Sequence, residues 1–176
     1  MKKIVAILLA LALCLGTAFA AEVSEITWAD VADAAAQIDP NGQIWTLDGI
    51  NCAVWIPEVL KYVELSQEEI DAGYLAYWAT EDNTAAMGVQ YGNVGDLSLD
   101  DYAAMLAEMG ISDIETGYVN GLYCVTYSCT NEEGISSNVV AFALEGDNIV
   151  EFSFTAGDEG YEAVASIIAA SIQPAE

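Results

Sequence analysis

The chain has 176 residues, of which 28 are acidic and three are Lys or Arg, with no histidine and a formal net charge of −25. A surface of that sign repels phosphate backbones and anionic headgroups, whose partners carry Lys and Arg clusters, so nucleic acid and direct membrane-surface binding are excluded. Without histidine, a Ser-His or Cys-His catalytic pair is impossible and a zinc site lacks a plausible ligand set.

Met1-Lys2-Lys3 is a short positive start, Ile4 to Leu15 is an apolar core, and Ala18-Phe19-Ala20 fits a small-residue cleavage site. That is the pattern of a secretory signal peptide over 1–20, with the brevity of a bacterial one. The apolar run is shorter than the ~20 residues that span a bilayer, and no later stretch replaces it, so no membrane insertion is expected after leader cleavage. Leu11 stands three residues before Cys14, as in a lipoprotein signal, but Leu13 is too large for the position before the cysteine, and simple cleavage is the expectation. Loss of Lys2 and Lys3 leaves Lys61 as the one cation among 28 acids. Residues 21–176 then read as a single acidic domain, secreted or extracytoplasmic in the cell envelope, able to bury roughly 70% of its unfolded surface.

Thr27 followed by Asp30 resembles a capping box, and Trp28, Val31, Ala35 and Ile38 recur at helical spacing. Asp39-Pro40-Asn41-Gly42 ends that helix. Gln43 to Leu47 and Asn51 to Ile56 read as strands, with Cys52, Val54 and Ile56 on one side and Trp55 on the other. Ser66-Gln67-Glu68-Glu69 opens a short helix that finishes near Gly73. Tyr74 to Thr80 and Ala85 to Tyr91 form a hairpin; Tyr74, Ala76 and Trp78 share one side, as do Met87, Val89 and Tyr91. Ser98 caps a helix with Asp101 at its third position and an apolar stripe of Leu99, Tyr102, Leu106 and Met109, stopped by Gly110. Ile114 to Val119 leads through Asn120-Gly121, a two-residue hairpin signal, into three adjacent strands at Leu122 to Thr130, Ser137 to Leu144 and Ile149 to Thr155. Tyr123, Val125 and Tyr127 make one apolar face, and Val150, Phe152 and Phe154 another, each needing cover. A last helix over about 158–172 presents Tyr161, Val164, Ile168 and Ile172 and can fold back across the sheet. Hairpins with helices at the start, middle and end predict an α+β fold, an antiparallel sheet with helices packed on it.

The strand pair ending in Trp55-Ile56-Pro57, the central helix opened by Ser98-Leu99-Asp100-Asp101-Tyr102, and Ile149-Val150-Glu151-Phe152-Ser153-Phe154 before Ser171-Ile172 together resemble the Mog1/PsbP-type α/β/α sandwich. The layout is similar to that of small uncharacterised exported bacterial proteins as well. The likeness covers most of 51–172 and is one of pattern, so it carries over no functional residues. It implies a protein-binding or assembly-accessory module by analogy.

Cys52, Cys124 and Cys129 survive cleavage. Cys124 and Cys129 lie five apart on one strand, on opposite faces and roughly 16 Å apart, and cannot join without a large bulge. Cys52 pairing with Cys124 or Cys129, or three buried thiols, remain as the two arrangements. With one lysine, a Ser-Lys pair would rest on Lys61, which reads as solvated. Paired carboxylates are uninformative among so many acids. Asn93, Asp96, Asp100 and Asp101 gather oxygen ligands, and Glu81-Asp82-Asn83 and Asn131-Glu132-Glu133 are acidic turns, yet none has calcium-loop spacing. Asp100 and Asp101 are explained by the helix amino terminus, so no catalytic, cofactor-binding or metal residue is assigned and no cofactor is expected. Trp45, Trp55, Tyr74 and Trp78 could form a platform for a sugar ring, but residues of that size are read as core. The expectation is an exported non-enzymatic binding or accessory module whose partner is an unknown protein or small ligand. A domain for divalent cations or a small solute is the second reading, and a carboxylate-based hydrolase the third.

Overall fold

A computed structural model describes residues 25–175 other than 48, 96, 132, 133, 144–147, 156 and 158. The leader, Asp96, Glu132, Glu133 and Leu144 therefore lie outside the described residues.

The Asn120-Gly121 turn sets the register of the larger sheet. Both residues have positive φ, 49° and 78°, and they join β7 (Glu115–Val119) to β8 (Leu122–Thr130) with Val119 opposite Leu122. This is the geometry for which Asn-Gly is selected in two-residue hairpins. β8 continues antiparallel into β9 (Ser136–Ala143) and β10 (Asn148–Thr155). β10 then pairs along its whole length with β6 (Ala86–Asn93), not with a later strand. β6 carries β5 (Tyr74–Ala79) and β4 (Lys61–Tyr62) on its far side, and β1 (Glu25–Ile26) adds parallel to β7. The order is thus β1-β7-β8-β9-β10-β6-β5-β4. β2 (Gln43–Leu47), β3 (Cys52–Ile56) and β11 (Gln173–Pro174) form a separate sheet in the order β11-β3-β2.

Both faces of the larger sheet are covered, by different layers. On one, Leu99, Tyr102 and Leu106 of α3 (Leu99–Glu108) pack on Val125, Tyr127, Val139, Ala141 and Ile149. On the other, Val150, Phe152, Phe154 and Phe142 meet α1 (Trp28–Ile38), β3 and α4 (Glu159–Ser171). The fold is α+β, a largely antiparallel sheet between helical layers, as expected. The two apolar faces read from β8 and β10 point in opposite directions, into separate cores. β9 reads Val139-Val140-Ala141-Phe142 without a polar break because it is buried on both sides.

Capping serines behave as their spacing implies. Ser66 accepts from the Glu69 N–H and Ser98 from the Asp101 N–H, opening α2 (Gln67–Asp71) and α3. The N–H and hydroxyl of Thr27 donate to the Asp30 carboxylate, as those of Ser66 and Ser98 do to Glu69 and Asp101, while the Asp30 N–H donates to the Thr27 carbonyl. Three details depart from the alternation. Cys52 to Ile56 are buried on both sides of β3, because Trp55 packs against Trp28 with ring centroids 6.2 Å apart. A Cβ on Gly42 would stand 2.4 Å from the Trp55 indole nitrogen, so only glycine fits there. Tyr74 does not share a face with Trp78: the pairing slips between Tyr74 and Ala76, and Tyr74 and Tyr77 both flank Gly88. One inserted residue sends a side chain to the other face. Met109 lies beyond the helix as its C-cap and is 71% exposed, so it does not extend the stripe.

Two polar side chains tie the layers together. Asn120 Oδ1 accepts from the Trp28 N–H at 2.5 Å, and Nδ2 donates to the carbonyls of Ala170 and Ile172 at 2.9 and 2.7 Å. One turn residue thus holds the start of α1 and the end of α4. Ser171, fully buried, accepts from the Trp55 N–H at 2.8 Å, and its hydroxyl donates to the Ile168 carbonyl. It serves a β3 amide just past the two β11 pairs.

Beneath α3, the hydroxyls of Tyr102 and Tyr127 both donate to Glu151 Oε1. Burial first, and then the bond to this carboxylate, push both phenols well above the usual tyrosine value, and burial does the same for Tyr161. A phenol held protonated by the fold contributes stability that is intact below the unfolded value near 10. That contribution is lost as pH rises toward the folded value. Unfolding above about pH 10 is therefore expected, with tyrosinate absorbance and loss of ellipticity rising together. Gradual ionisation of all the tyrosines with the fold intact would contradict this arrangement.

Cys52, Cys124 and Cys129 are free thiols. Cys52 and Cys124 lie in the larger core and Cys129 against the α3 layer, on opposite faces of the sheet as their spacing requires. Burial pushes the Cys124 thiol up to about 11 and raises Cys52 as well.

Candidate functional site

β2 is an outer strand of the small sheet and β4 an outer strand of the large one. At the corner where they meet, the rings of Trp45 and Tyr62 lie nearly parallel, with centroids 6.2 Å apart and planes 10° apart. Trp78 stands edge-on to both, 5.9 Å from Trp45 and 5.7 Å from Tyr62. Trp78 is 1% exposed, whereas Trp45 and Tyr62 are 41% and 50% exposed. The β4–β5 pairing sets Tyr62 directly opposite Trp78. Edge-to-face contact suits the ring quadrupoles and fixes the two outer rings. Val59, also exposed, lines the neighbouring depression.

Polar groups flank the rings. Asn41, Gln43, Glu58 and Lys61 line a depression of about 540 Å3 beside Trp45 and Tyr62. Across the 57–60 turn, Asp39, Glu58, Lys61, Glu81 and Asp82 line a second, of about 700 Å3. The turn is braced: Asp39 accepts from the N–H groups of Asn41 and Glu58, and Asn41 Nδ2 donates to Glu58 at 3.0 Å. The corner offers ring faces, hydrocarbon and a carboxylate-rich rim. Lys61 is exposed here among carboxylates, with no serine lining either depression.

The four aromatic residues weighed as a platform are therefore divided. Trp55 and Trp78 are core, Tyr74 faces the α3 side, and Trp45 is exposed. Its companion is Tyr62, which the sequence reading missed because a two-residue strand leaves no periodic signal. Among the described residues, acids of the turns are held by local bonds. Asp100 accepts from the Tyr123 hydroxyl at 2.6 Å, Asp101 closes the capping box with Ser98, and Asp82 accepts from the hydroxyls of Thr80 and Thr84. The threonine bonds hold the Asp82 carboxyl below the usual carboxylate range. Among the described residues, no group of three acids or cysteines is placed to hold a metal ion, and no helix is long and apolar enough to cross a membrane.

No protein-family model matches the sequence, and no curated protein matches it. Solved structures do. The solution structure of cyanobacterial PsbP (CyanoP) from Synechocystis sp. PCC 6803 superposes with a TM-score of 0.55 at 12% identity, covering 76% of this chain and 92% of that one. A crystal structure of a Bacteroides thetaiotaomicron VPI-5482 protein gives a TM-score of 0.51 at 14% identity, over 77% of this chain and 49% of that one. The fold is PsbP-like. At these identities the likeness concerns the fold alone.

Proposed function

We propose that this chain is a non-enzymatic binding or accessory module acting outside the cytoplasm, carried there by the leader over 1–20, and that its partner is a basic, extended protein segment docking on the outer edge of β2. The observation that carries the reading is that edge. Gln43 to Thr46 are exposed in succession, β2 ends its sheet, and Trp45 and Tyr62 present ring faces beside it. An unpaired edge offers main-chain hydrogen bonds to an added strand, and neighbouring apolar side chains give specificity. A second copy of this chain is disfavoured as occupant, because two surfaces on which Lys61 is the one cation among 28 acids repel. Asp39, Glu58, Glu81 and Asp82 around the corner complement Lys or Arg on the incoming strand. The PsbP-type layout supports an accessory role by analogy.

The test uses the chain from Ala21 to Glu176 and three peptides: alternating Lys and Val, the same sequence with alternate backbone nitrogens methylated, and alternating Glu and Val. Binding is followed by fluorescence anisotropy of labelled peptide. The Lys-Val peptide should bind, the methylated peptide of equal charge should bind at least about tenfold more weakly, and Trp45→Ala should weaken the first by a similar factor. Equal binding of the plain and methylated peptides, unaffected by Trp45→Ala, would reduce the interaction to net charge and overturn the docking reading.

A further inference from the structure

α4 presents two different faces. Tyr161 and Ile168 are buried in the larger core, and on a neighbouring flank Ala165, Ser166 and Ala169 line a space shared with residues of β7, β8 and β9. Side chains that short cannot fill the space above the sheet, and a groove of about 320 Å3 remains. Val119, Val140, Phe154, Ala165 and Ala169 give it hydrocarbon lining, and Ile26 of β1 lines it as well. Asp113, Glu115 and Glu162 stand around it as carboxylates, and no basic residue lines it. The volume is at the lower end of the roughly 300–1,000 Å3 of small-molecule sites.

We propose that this groove binds a small organic monocation with a hydrocarbon body, an aliphatic amine being the simplest case. The argument is complementarity at both ends of such a ligand. The apolar floor takes up methylene groups, each worth about 0.8 kcal/mol when removed from water, and the carboxylates take up the ammonium. An anion of the same size would meet three like charges and no compensating cation. A neutral alcohol would gain the floor but leave the carboxylates without a counter-charge. A bare metal ion gains nothing from the floor, and these acids do not converge on a common coordination point. Glu115 is the group most affected: burial, and then Asp113, hold its carboxyl above the usual range. A bound ammonium would offset the repulsion from Asp113 and favour the ionised form. The site is separate from the aromatic corner, so either can fail alone.

The probes are hexylamine, hexanol and hexanoate, titrated calorimetrically into the chain from Ala21 to Glu176 at pH 7 in matched sodium chloride. Hexylamine should bind with one-to-one stoichiometry, at least about tenfold more tightly than hexanol, with hexanoate not detected. Its affinity should fall as the solution is acidified, because Glu115 takes up a proton at higher pH than an ordinary carboxylate. Glu115→Gln should weaken hexylamine about tenfold and leave hexanol unchanged, while Ala169→Leu, which fills the groove, should weaken both. If Ala169→Leu does not fold, the Glu115→Gln comparison decides alone. Hexanol binding as tightly as hexylamine would show an apolar cavity without charge selection. Many weak hexylamine sites insensitive to Glu115→Gln would show only counterion attraction to an acidic surface. Either result overturns the proposal.

Discussion

Replacing Asn120 by alanine should cost on the order of 4 kcal/mol, although the residue sits in a hairpin turn where a side chain is usually incidental. Two causes add. Alanine at a φ of 49° pays roughly 1–2 kcal/mol for its Cβ. The Trp28 N–H and the carbonyls of Ala170 and Ile172 also lose their partner, and an unsatisfied buried polar group costs about 1–3 kcal/mol. Solvent reaching the half-buried end of α1 offsets part of that sum. For a chain of this size the melting temperature should fall by roughly 8–16 °C. Asn120→Gly separates the causes, since it keeps the backbone geometry and loses only the hydrogen bonds. Asn120→Asp preserves the acceptor for Trp28 but turns a charge toward two carbonyls, and should be no better than alanine. If thermal unfolding placed Asn120→Ala within about 2 °C of the parent, the link between α1 and α4 would have to reside elsewhere.

Trp78→Ala should lose about 3–5 kcal/mol, the range for deleting a large buried aromatic side chain. It should also abolish the proposed strand docking in molecules that still fold, because Trp45 and Tyr62 lose the ring they both stand against. Trp78→Phe is the informative partner. The indole nitrogen has no hydrogen-bond partner among the described residues despite its burial, so phenylalanine removes an unsatisfied donor while opening a small void. These effects oppose each other at about 1–3 kcal/mol each, and the net change should be within about 1 kcal/mol, with docking retained. Denaturant melts of both variants check the stability half. The Lys-Val peptide checks the other, and retained binding in folded Trp78→Ala would show that the outer rings do not need their support.

Elements with a local chemical signal were legible in the sequence. Ser66 and Ser98 mark helix starts by their spacing to Glu69 and Asp101, and Asn120-Gly121 marks its turn. The long strands β8 and β10 declare themselves by period. β1, β4 and β11 did not, since two residues carry no period and their pairing is a product of tertiary packing. The exclusion of Tyr74 from the Trp78 face was hidden for a related reason, as a slipped register depends on the partner strand. Glu151 left a trace that could have been used: a lone acid amid Ile149, Val150, Phe152 and Phe154 lies on the face that α3 covers, and acids on such faces need partners. Tyr102 and Tyr127 supply them. The Asn120 side chain was read only for its backbone tolerance. The groove carboxylates could not be singled out among 28 acids, although the small residues Ala165 and Ala169 on one flank of α4 hinted that something there was left unfilled.

The position of β10 governs when the chain can finish folding. It lies between β9 and β6, and it alone joins the β4-β5-β6 half of the larger sheet to the half containing β7 to β9. A nascent chain that ends before residue 148 can form the two halves only as separate hairpins, each with a bare inner edge. Contacts that bridge such a distance along the chain are slow to form because loop closure precedes their reward. Completion therefore waits for the strand at 148–155, and then for α4 and β11 to seal the small sheet. Until that point everything amino-terminal to β10 is unable to close the larger sheet, whatever the stability of its separate hairpins.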